Sequence, residues 1–488
     1  MRDILGHSLN FQYELLLPEI IIAITATLVV GADAFRNELR LGRRILPWLS
    51  VIGLVAALVV SLLWIDTQRN FARLITIDNY TTFFRVLFTA TAIVVIVGSH
   101  EYVERHIGHI GEFYALILLS TVGAIYMAAA RDLLTAYVAI EVLSFSLYVA
   151  VSLARNDPRS GEAALKYTLL GGVASAMLLY GLSLLYGVAG STQYTEISGA
   201  LAAGTGGMTL PLILGLVLIV AGLGFKASAV PFHMYTPDAY EGAPLPITAY
   251  ISATSKAAVL ALFLRWFSGP LLPALPDWQW MVALIAVLTM GLGNLVALQQ
   301  RNIKRLLAYS SIGQVGYMLM AITTVSVVSA SALLLHIGGY LVTNLAVFMA
   351  VIAFYNRTGT EEISGFRGLA QTNPYLALVI TAGMFSLGGM PLLAGFLTKF
   401  ILFTAAADGG FLWLATFAVI MSTVSLYYYL QVIKQMYLYQ PDGDARRWRL
   451  SPTGYLTTAV LLAGTVVLGV YATPLYTLAD RATRVLFV

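Results

Sequence analysis

The chain has 488 residues, of which 59% are hydrophobic and only 11% are charged. Soluble domains carry about 25% charged residues, so this composition argues against a soluble protein and indicates a membrane protein. The sequence contains no cysteine, which excludes disulfides and thiolate-bound zinc or iron–sulfur clusters, and its net charge of +4 is dispersed between apolar runs, which argues against nucleic-acid binding.

The apolar runs are about 20 residues long, which matches the roughly 30 Å hydrocarbon core of a bilayer. Backbone polar groups find no water at that depth, so each run is predicted to be an α-helix. The pattern therefore predicts an all-α polytopic membrane protein with about 14 transmembrane helices in a single domain covering residues 1–488. The predicted spans are 17–33, 46–65, 79–98, 112–130, 133–153, 163–188, 210–237, 244–267, 277–297, 303–323, 327–355, 374–405, 410–436 and 453–474.

The distribution of basic residues predicts the orientation in the membrane. Sixteen lysines and arginines fall in or near the loops that follow odd-numbered spans, against eight on the opposite side. Cytoplasmic loops carry the excess of basic residues. The count places the odd-numbered loops in the cytoplasm and both termini outside.

Charged residues inside the spans are the first candidates for function. Glu141 is the one acidic residue predicted to lie well inside a span, the fifth, and four of the six lysines also fall inside spans: Lys166, Lys226, Lys256 and Lys399. A buried lysine can release its proton, whereas arginine keeps its proton in proteins. A charge at the centre of a bilayer costs at least a few kcal/mol, so Glu141 is expected to pair with a buried lysine.

A carboxylate beside a lysine stabilises the ammonium form, and its withdrawal lets desolvation expel the proton. This pattern predicts a proton-transfer chain that needs no bound cofactor. The alternative is that the charges form static ion pairs or reach the membrane surface. Lys166 is the weakest candidate, because it lies one turn from Glu162 near a helix start.

Two predicted spans contain helix-breaking residues close to a lysine. The seventh contains Pro231 and Pro237, and the twelfth contains the segment Gly388 to Pro391. Proline removes a backbone donor and glycine loosens the helix, so helices 7 and 12 are predicted to be broken.

A faint internal repeat relates these two regions. The segment Leu133 to Ile140 resembles Leu306 to Ile312, and Lys226 and Lys399 are separated by almost the same interval. The shift covers five helices, so the second copy, 277–436 (helices 9–13), would be inverted in the membrane relative to the first, 112–267 (helices 4–8). Inverted repeats with broken helices are common in transporters.

Polar side chains inside the spans could carry protons between these sites. His336 is one candidate, although a lone histidine in a membrane helix often only packs or donates a hydrogen bond. No histidine pair has metal or haem spacing, and no glycine-rich loop has the context of a nucleotide site, so no cofactor is predicted in this chain. The other relay candidates are Ser144, Ser146, Tyr148, Ser252, Ser255, Tyr309, Ser310, Gln314 and Asn344.

The stretch Gly224 to Ala257, with a lysine near each end, resembles the signature of the antiporter-like subunits of respiratory complex I, and most of all the subunit N family. The segments Glu141 to Tyr148, Ser160 to Tyr167 and Gly388 to Phe400 support the resemblance, which covers about 110–440. One departure from the family pattern is Tyr235, where tryptophan is more usual.

The resemblance implies a role for each lysine. The family pairs a glutamate on helix 5 with a lysine on broken helix 7, here Glu141 and Lys226, and places a central lysine on helix 8, here Lys256. Lys399 matches the lysine that subunit N carries on broken helix 12, where subunit M typically has glutamate, and Lys166 matches a further lysine on helix 6. The chain also ends soon after its last span, without the long lateral helix of subunit L.

The resemblance further implies a proton-translocating subunit of an NADH:quinone oxidoreductase in the inner (cytoplasmic) membrane of a bacterium. Other membrane subunits of this hetero-oligomer would pack on both flanks, and NADH or another electron donor, FMN, iron–sulfur clusters and quinone would bind partner subunits. Two alternatives stay open: a subunit of a multisubunit cation/proton antiporter, which shares these motifs, and a structural membrane scaffold, in which the buried lysines could be replaced without loss of pumping.

Overall fold

The computed structural model describes residues 13–35, 42, 44–203, 209–441 and 446–487. Within these residues the chain is almost entirely helical, as predicted. The predicted position of both termini outside the membrane falls on residues 1–12 and 488, which lie outside the described residues. Four arginines of the charge count lie outside them as well: Arg2, Arg36, Arg40 and Arg43.

The helices follow one another with short connections, and one small hairpin separates α2 from α3. In chain order the elements are α1 (Leu17–Ala34), α2 (Ile45–Leu62), β1 (Arg69–Phe71), β2 (Ile75–Ile77), α3 (Asn79–His106), α4 (Ile110–Ala129), α5 (Leu133–Val151), α6 (Pro158–Ala189), α7 (Tyr194–Ala202), α8 (Leu210–Ala227), α9 (Tyr235–Gly242), α10 (Leu245–Tyr250), α11 (Lys256–Phe267), α12 (Leu275–Ala297), α13 (Ile303–Ile322), α14 (Val327–Thr358), α15 (Leu369–Thr372), α16 (Pro374–Gly388), α17 (Ala394–Ala406), α18 (Leu412–Leu438), α19 (Pro452–Val470) and α20 (Thr473–Arg484).

Twelve helical stretches of the described chain are long and apolar enough to cross a membrane. The predicted count of about 14 spans differs from these 12 stretches in two regions of the chain. It includes α13, which is long enough but carries Lys304, Arg305 and several hydroxyl groups, and it counts the broken pair α16 and α17 as one span. It also separates α17 from α18, which Gly410 divides with a left-handed φ of 89°. Every predicted span overlaps a helix, so the predicted fold class is confirmed.

The predicted breaks are present in both helices. The seventh span stops at Ala227 and resumes at Tyr235 as the short helix α9, and the twelfth stops at Gly388 and resumes at Ala394. Gly389, directly after the second stop, has a φ of 88°, a conformation that costs a residue with a Cβ about 1–2 kcal/mol.

The helix that carries Lys256 is the most enclosed in the bundle. Every residue from Leu245 to Phe267 is buried, and a π-helical turn, Ile251–Ser255, joins α10 to α11 directly before Lys256. π-turns inside α-helices are rare and occur frequently at functional sites.

The starts of α5 and α13 are built alike. Asp132 and Asn302 cap the two helices with side-chain oxygens, and each pairs as an isolated β-bridge with a residue at the end of a later connection, Gln193 and Glu362 respectively. An N-cap of this kind contributes about 1 kcal/mol. The matched pair supports the predicted inverted repeat, which stays a prediction.

The structure adds elements that the sequence reading missed. The hairpin β1–β2 pairs Arg69 with Ile77 in antiparallel register, and α7 is a short helix in the connection after the sixth span. The predicted last span, 453–474, ends earlier, at Val470, and α20 follows as a separate amphipathic helix. These segments are too short or too polar to give a membrane-span signal.

Candidate proton-transfer site

Lys226 lies at the end of α8, where the helix stops inside the bundle. The helix ends because Ser228 adopts a left-handed φ of 68°. The Lys226 side chain is 5% exposed, and its Nζ donates hydrogen bonds to Ser144 Oγ at 2.7 Å and to the Tyr148 hydroxyl at 3.0 Å. The end of a helix carries partial negative charge, which stabilises a cation at this position.

Glu141 on α5 lies within ion-pair distance of Lys226, the pairing that the resemblance to the subunit N family implies. Its Oε1 is 3.9 Å from Lys226 Nζ and accepts a hydrogen bond from Ser175 Oγ on α6 at 2.6 Å. A distance of 3.9 Å is too long for a direct hydrogen bond. Since the Ser144 hydroxyl already contacts the ammonium, a small movement of α5 or α8 would strengthen or break the ion pair.

Tyr235, which departs from the family pattern, fixes the break beside Lys226. Its ring stacks on Phe225 with centroids 4.2 Å apart and on Tyr167 with centroids 4.8 Å apart. Its hydroxyl lies 3.1 Å from Ser228 Oγ. The Tyr235 hydroxyl therefore forms a hydrogen bond with Ser228, the residue at which α8 ends. Tryptophan has no hydroxyl that could form this bond.

Lys256 is buried between α11 and α13 with no carboxylate beside it. Its side chain is 2% exposed, its Nζ donates a hydrogen bond to Ser311 Oγ, and Nζ lies 5.4 Å from the centre of the Tyr240 ring. Among the described residues it has no ion-pair partner within 4.0 Å. The ammonium form is thus held by a hydroxyl and an aromatic face.

Lys399 uses a backbone carbonyl that the break in the twelfth span releases. Its Nζ donates to Leu387 O at 2.7 Å, one residue before the end of α16, and to Ser422 Oγ at 3.0 Å. The side chain is 3% exposed, and its Nζ lies 4.8 Å from the centre of the Tyr317 ring. Freed carbonyls at membrane depth persist only where protein or water satisfies them, and here the lysine does so.

His336 lies beside Lys399 rather than alone in the bundle. The two residues line a cavity of about 10 Å³, which is roughly the space that one water molecule occupies. Within the described chain, Nδ1 of His336 lies 2.9 Å from Thr398 Oγ1 and Nε2 has no partner. The histidine is therefore placed where it could bond to a group that occupies this cavity.

A polar line connects Lys256 with Lys399. Ser311, which accepts from Lys256, lies one turn before Gln314 on α13. Gln314 Nε2 donates to Leu387 O at 3.1 Å, the same carbonyl that accepts from Lys399. The two lysines are thus linked through one helix turn and one shared acceptor.

The other relay candidates divide into two groups. Ser252 accepts a hydrogen bond from Asn344 at 2.7 Å, and the Ser310 hydroxyl lies 2.5 Å from that of Tyr429, so these candidates join different helices. Ser146 instead donates to Val142 O of its own helix. Within the part of the chain that the structure describes, Ser255 and Tyr309 form no hydrogen bond with a lysine.

Lys166 is not an interior residue, which corrects the prediction that four lysines lie inside the bundle. Its side chain is 45% exposed and forms ion pairs with Glu162 at 2.8 Å and with Asp238 at 2.9 Å. The helix begins at Pro158, earlier than predicted, and the long side chain reaches α9 over its surface. Lys166 therefore fits the alternative interpretation given above, in which a charged residue near the start of a helix forms an ion pair.

Three buried ion pairs escaped the sequence reading, because each contains a residue that was assigned to a loop or a helix end. Their side chains lie close to a helix end in the sequence, so only the packing of neighbouring helices buries them. The pairs are Glu19 with Arg85 at 2.7 Å, Asp78 with Arg265 at 3.0 Å, and Glu361 with Lys304 at 2.7 Å.

Metal-binding geometry does not occur in the described part of the chain. No group of three or more histidine, cysteine, aspartate or glutamate side chains there could hold a metal ion. The groups around Lys226, Lys256 and Lys399 are hydroxyls, the Glu141 carboxylate and the His336 imidazole, all of which can donate or accept hydrogen bonds.

Comparison with known proteins gives the same result from sequence and from structure. Residues 130–425 match the model of the family described as NADH:quinone oxidoreductase/Mrp antiporter, transmembrane. NADH-quinone oxidoreductase subunit N of Moorella thermoacetica is 42% identical over 84% of this chain and 86% of that protein. Subunit N of Dehalococcoides mccartyi is 40% identical over 97% of this chain and 99% of that protein.

A solved structure agrees with these relatives. A chain of respiratory complex I from Thermus thermophilus, determined with bound aureothin, is 31% identical, and the match has a TM-score of 0.79 and covers 95% of this chain and 99% of that one. The family match at residues 130–425 spans the positions of Lys226, Lys256 and Lys399. The chain therefore belongs to the NADH:quinone oxidoreductase/Mrp antiporter transmembrane family, as an antiporter-like membrane subunit related to subunit N of respiratory complex I.

Proposed function

We propose that this chain translocates protons across the membrane through Glu141, Lys226, Lys256 and Lys399, as a subunit of a proton-pumping NADH:quinone oxidoreductase. The observation that carries the proposal is the Lys226 ammonium, which is 5% exposed, bonded to two hydroxyls and 3.9 Å from a carboxylate. A purely structural ion pair at this depth would be expected to close to hydrogen-bond distance, because an unpaired charge is costly there.

The ion pair with Glu141 favours the protonated form of Lys226. When Glu141 moves away, Lys226 gives up one N–H proton, and the amine of the next lysine in the chain, Lys256, gains it. Lys256 then gives up one N–H proton, and the amine of Lys399 gains it and releases it toward the outside. Ser311, Gln314 and the Leu387 carbonyl form the polar region between these two lysines. Each transfer between lysines breaks one N–H bond and forms another, and the chain returns to its starting charge once a proton from the cytoplasmic side replaces the one that Lys399 releases.

The proposal places the chain among other membrane subunits in the cytoplasmic membrane of a bacterium. NADH oxidation and quinone reduction, with FMN and the iron–sulfur clusters, would occur on partner subunits that drive the movement of Glu141. Exposed apolar side chains on α5 and α6 offer surface for such neighbours: Leu134, Phe145, Val149, Leu165, Leu169 and Val173. Both termini would lie outside, and His336 and Lys166 would have secondary roles near Lys399 and at the surface of α6.

The family also contains Mrp antiporter subunits, so a cation/proton antiporter is the second candidate. The subunit composition of the purified complex separates the two, because only an oxidoreductase would contain flavin and iron–sulfur subunits.

The experiment is proton pumping by the assembled complex in membrane vesicles with Lys226→Ala, measured together with donor oxidation and assembly. Lys434→Ala, an exposed lysine on α18, is the matched control. We expect the Lys226 variant to assemble but to lose pumping and coupled donor oxidation, whereas the control keeps both. Normal pumping by an assembled Lys226 variant would refute the proposal and favour a scaffold role.

A further inference from the structure

A cavity of about 400 Å³ opens at the face that the basic-residue count assigns to the cytoplasm. It lies between the connections that follow α3 and α5 and the segment that joins α9 to α10. Charged and titratable side chains line much of it: His109, Arg155, Asp157, Arg159, Lys304 and Glu361. Partial burial works to raise the pKa of Asp157, but hydrogen bonds from Arg159 outweigh it and lower that pKa, so this wall carries fixed charge.

Lys304 and Glu361 form a buried ion pair at this cavity. Lys304 is 4% and Glu361 14% exposed, and Nζ lies 2.7 Å from Oε1 of Glu361 and 3.2 Å from Ala243 O. Glu361 is held in place, because its backbone carbonyl accepts from Ile303 N at 2.9 Å and its side chain accepts from Asn302 Nδ2 at 3.4 Å.

The position of Lys304 is unfavourable for a cation that serves only stability. It lies in the first turn of α13, next to the N-cap Asn302. The N-terminal end of a helix carries partial positive charge, which destabilises a cation by about 0.3–1 kcal/mol. Burial adds a desolvation cost that the single carboxylate of Glu361 must offset.

The same helix leads from Lys304 to the central lysine. Ser311, which accepts from Lys256, lies seven residues after Lys304, two turns and about 10 Å along one face of α13. Tyr240 lies on the neighbouring segment α9, only three residues before Ala243, the residue whose carbonyl accepts from Lys304. The Tyr240 ring contacts Lys256, and its buried hydroxyl has no hydrogen-bond partner within the described chain.

We propose that Lys304 and Glu361 form the proton-uptake site that supplies Lys256 from this cavity. The inference rests on the proposed function and specifies where the replacing proton enters: after Lys256 has passed its proton to Lys399, Lys304 supplies it with another, which returns to Lys226 when Glu141 moves back. A proton from the cavity binds the Glu361 carboxylate, which weakens its hold on Lys304. Lys304 then releases one N–H proton past Tyr240 on α9 and Ser311 on α13 to the amine of Lys256, and Glu361 transfers its proton to the Lys304 amine, which restores the ion pair.

The test uses Lys304→Arg in the assembled complex in membrane vesicles. Arginine retains the charge and can pair with Glu361, but it does not release its proton, so a structural role is kept and a proton-transfer role is lost. Lys434→Arg is the matched control, because Lys434 is an exposed lysine on α18. Pumping and coupled donor oxidation should fall by at least about tenfold in the Lys304 variant, since a proton-transfer group contributes about 10²–10⁴-fold, and should stay normal in the control.

A second variant covers the case in which arginine does not fit. Lys304→Gln with Glu361→Gln removes both charges, so no unpaired buried charge remains. Normal pumping by either assembled variant overturns the uptake site, and failure of both to assemble assigns the pair to structure and overturns it as well. Lys226→Ala in the same vesicles separates the two proposals: if it abolishes pumping while Lys304→Arg pumps normally, only the uptake site fails.

Discussion

The two broken helices hold their lysines in different ways. Lys226 precedes its break, at the end of α8, and has a carboxylate 3.9 Å away. Lys399 follows its break, on α17, and bonds only to neutral oxygens, those of Leu387 and Ser422. The same device, a helix interrupted near a lysine, thus yields one site whose charge state depends on a movable anion and one whose ammonium is held by neutral dipoles.

Because of this difference, we expect the Lys226 and Lys399 sites to have different roles in the proposed proton transfer. A carboxylate attracts a cation more strongly than a carbonyl does at the same distance, and its effect changes with small movements. At the Lys226 site, a neighbouring subunit that moves Glu141 would change the protonation of the lysine. At the Lys399 site, no carboxylate has to move before the lysine releases its proton. Exchange of the carboxylate between the two sites tests this idea in both directions.

The largest effect is expected from Glu141→Ala, which makes the Lys226 site resemble that of Lys399. Without the carboxylate, only the hydroxyls of Ser144 and Tyr148 hold the ammonium, so the switch is lost. Coupled pumping in vesicles should fall by at least about tenfold. Glu162→Ala, which removes a surface carboxylate that pairs with Lys166, should pump normally. Equal loss in both variants would contradict a specific role for Glu141.

The converse change is Ser422→Asp, which gives Lys399 a carboxylate where a hydroxyl now lies 3.0 Å away. The added anion should hold the ammonium and slow proton release, so the pumping rate should fall by about threefold to tenfold, equivalent to about 0.7–1.4 kcal/mol. Ser422→Asn has a similar size and no charge, and should have a smaller effect. If the two variants pump equally, charge at this site does not control release.

The break beside Lys399 should tolerate a side chain poorly. Gly389→Ala places a Cβ on a residue with a φ of 88°, which should destabilise the chain by about 1–2 kcal/mol. The heat-induced loss of this chain from the detergent-solubilised complex measures the effect. Gly172→Ala on α6, where an added Cβ meets no atom within 4 Å, should be neutral or slightly stabilising. A Gly389 variant as stable as the Gly172 variant would show that the left-handed turn is not required.

The smallest effect is expected at the break beside Lys226. Tyr235→Phe keeps the stacking on Phe225 and Tyr167 but removes the hydroxyl that lies 3.1 Å from Ser228 Oγ. The loss of one buried hydrogen bond should cost about 1 kcal/mol, measured by the same heating assay. Tyr180→Phe, on a largely exposed ring, should change nothing. No destabilisation by Tyr235→Phe would show that stacking alone fixes the break.

The helices and the two breaks could be predicted because the bilayer imposes them residue by residue. An apolar run long enough to cross the hydrocarbon core must satisfy its own backbone, so length and composition alone indicate a helix. Proline and glycine act locally on that helix, which is why the stops at Ala227 and Gly388 follow from the sequence. A lysine in the middle of such a run, as at 226, 256 and 399, is enclosed wherever the helix faces protein.

Only the tertiary structure decided the partners and the residues near helix ends. Lys166 was expected inside the bundle and lies at its surface, whereas Lys304 was assigned to a loop and is buried beside Glu361. A few residues from a helix end, the depth of a side chain depends on where neighbouring helices stop and how they tilt. The sequence by itself determined that protonatable groups lie within the membrane; packing determined which lysine has a carboxylate, because that depends on contacts between helices far apart in the chain.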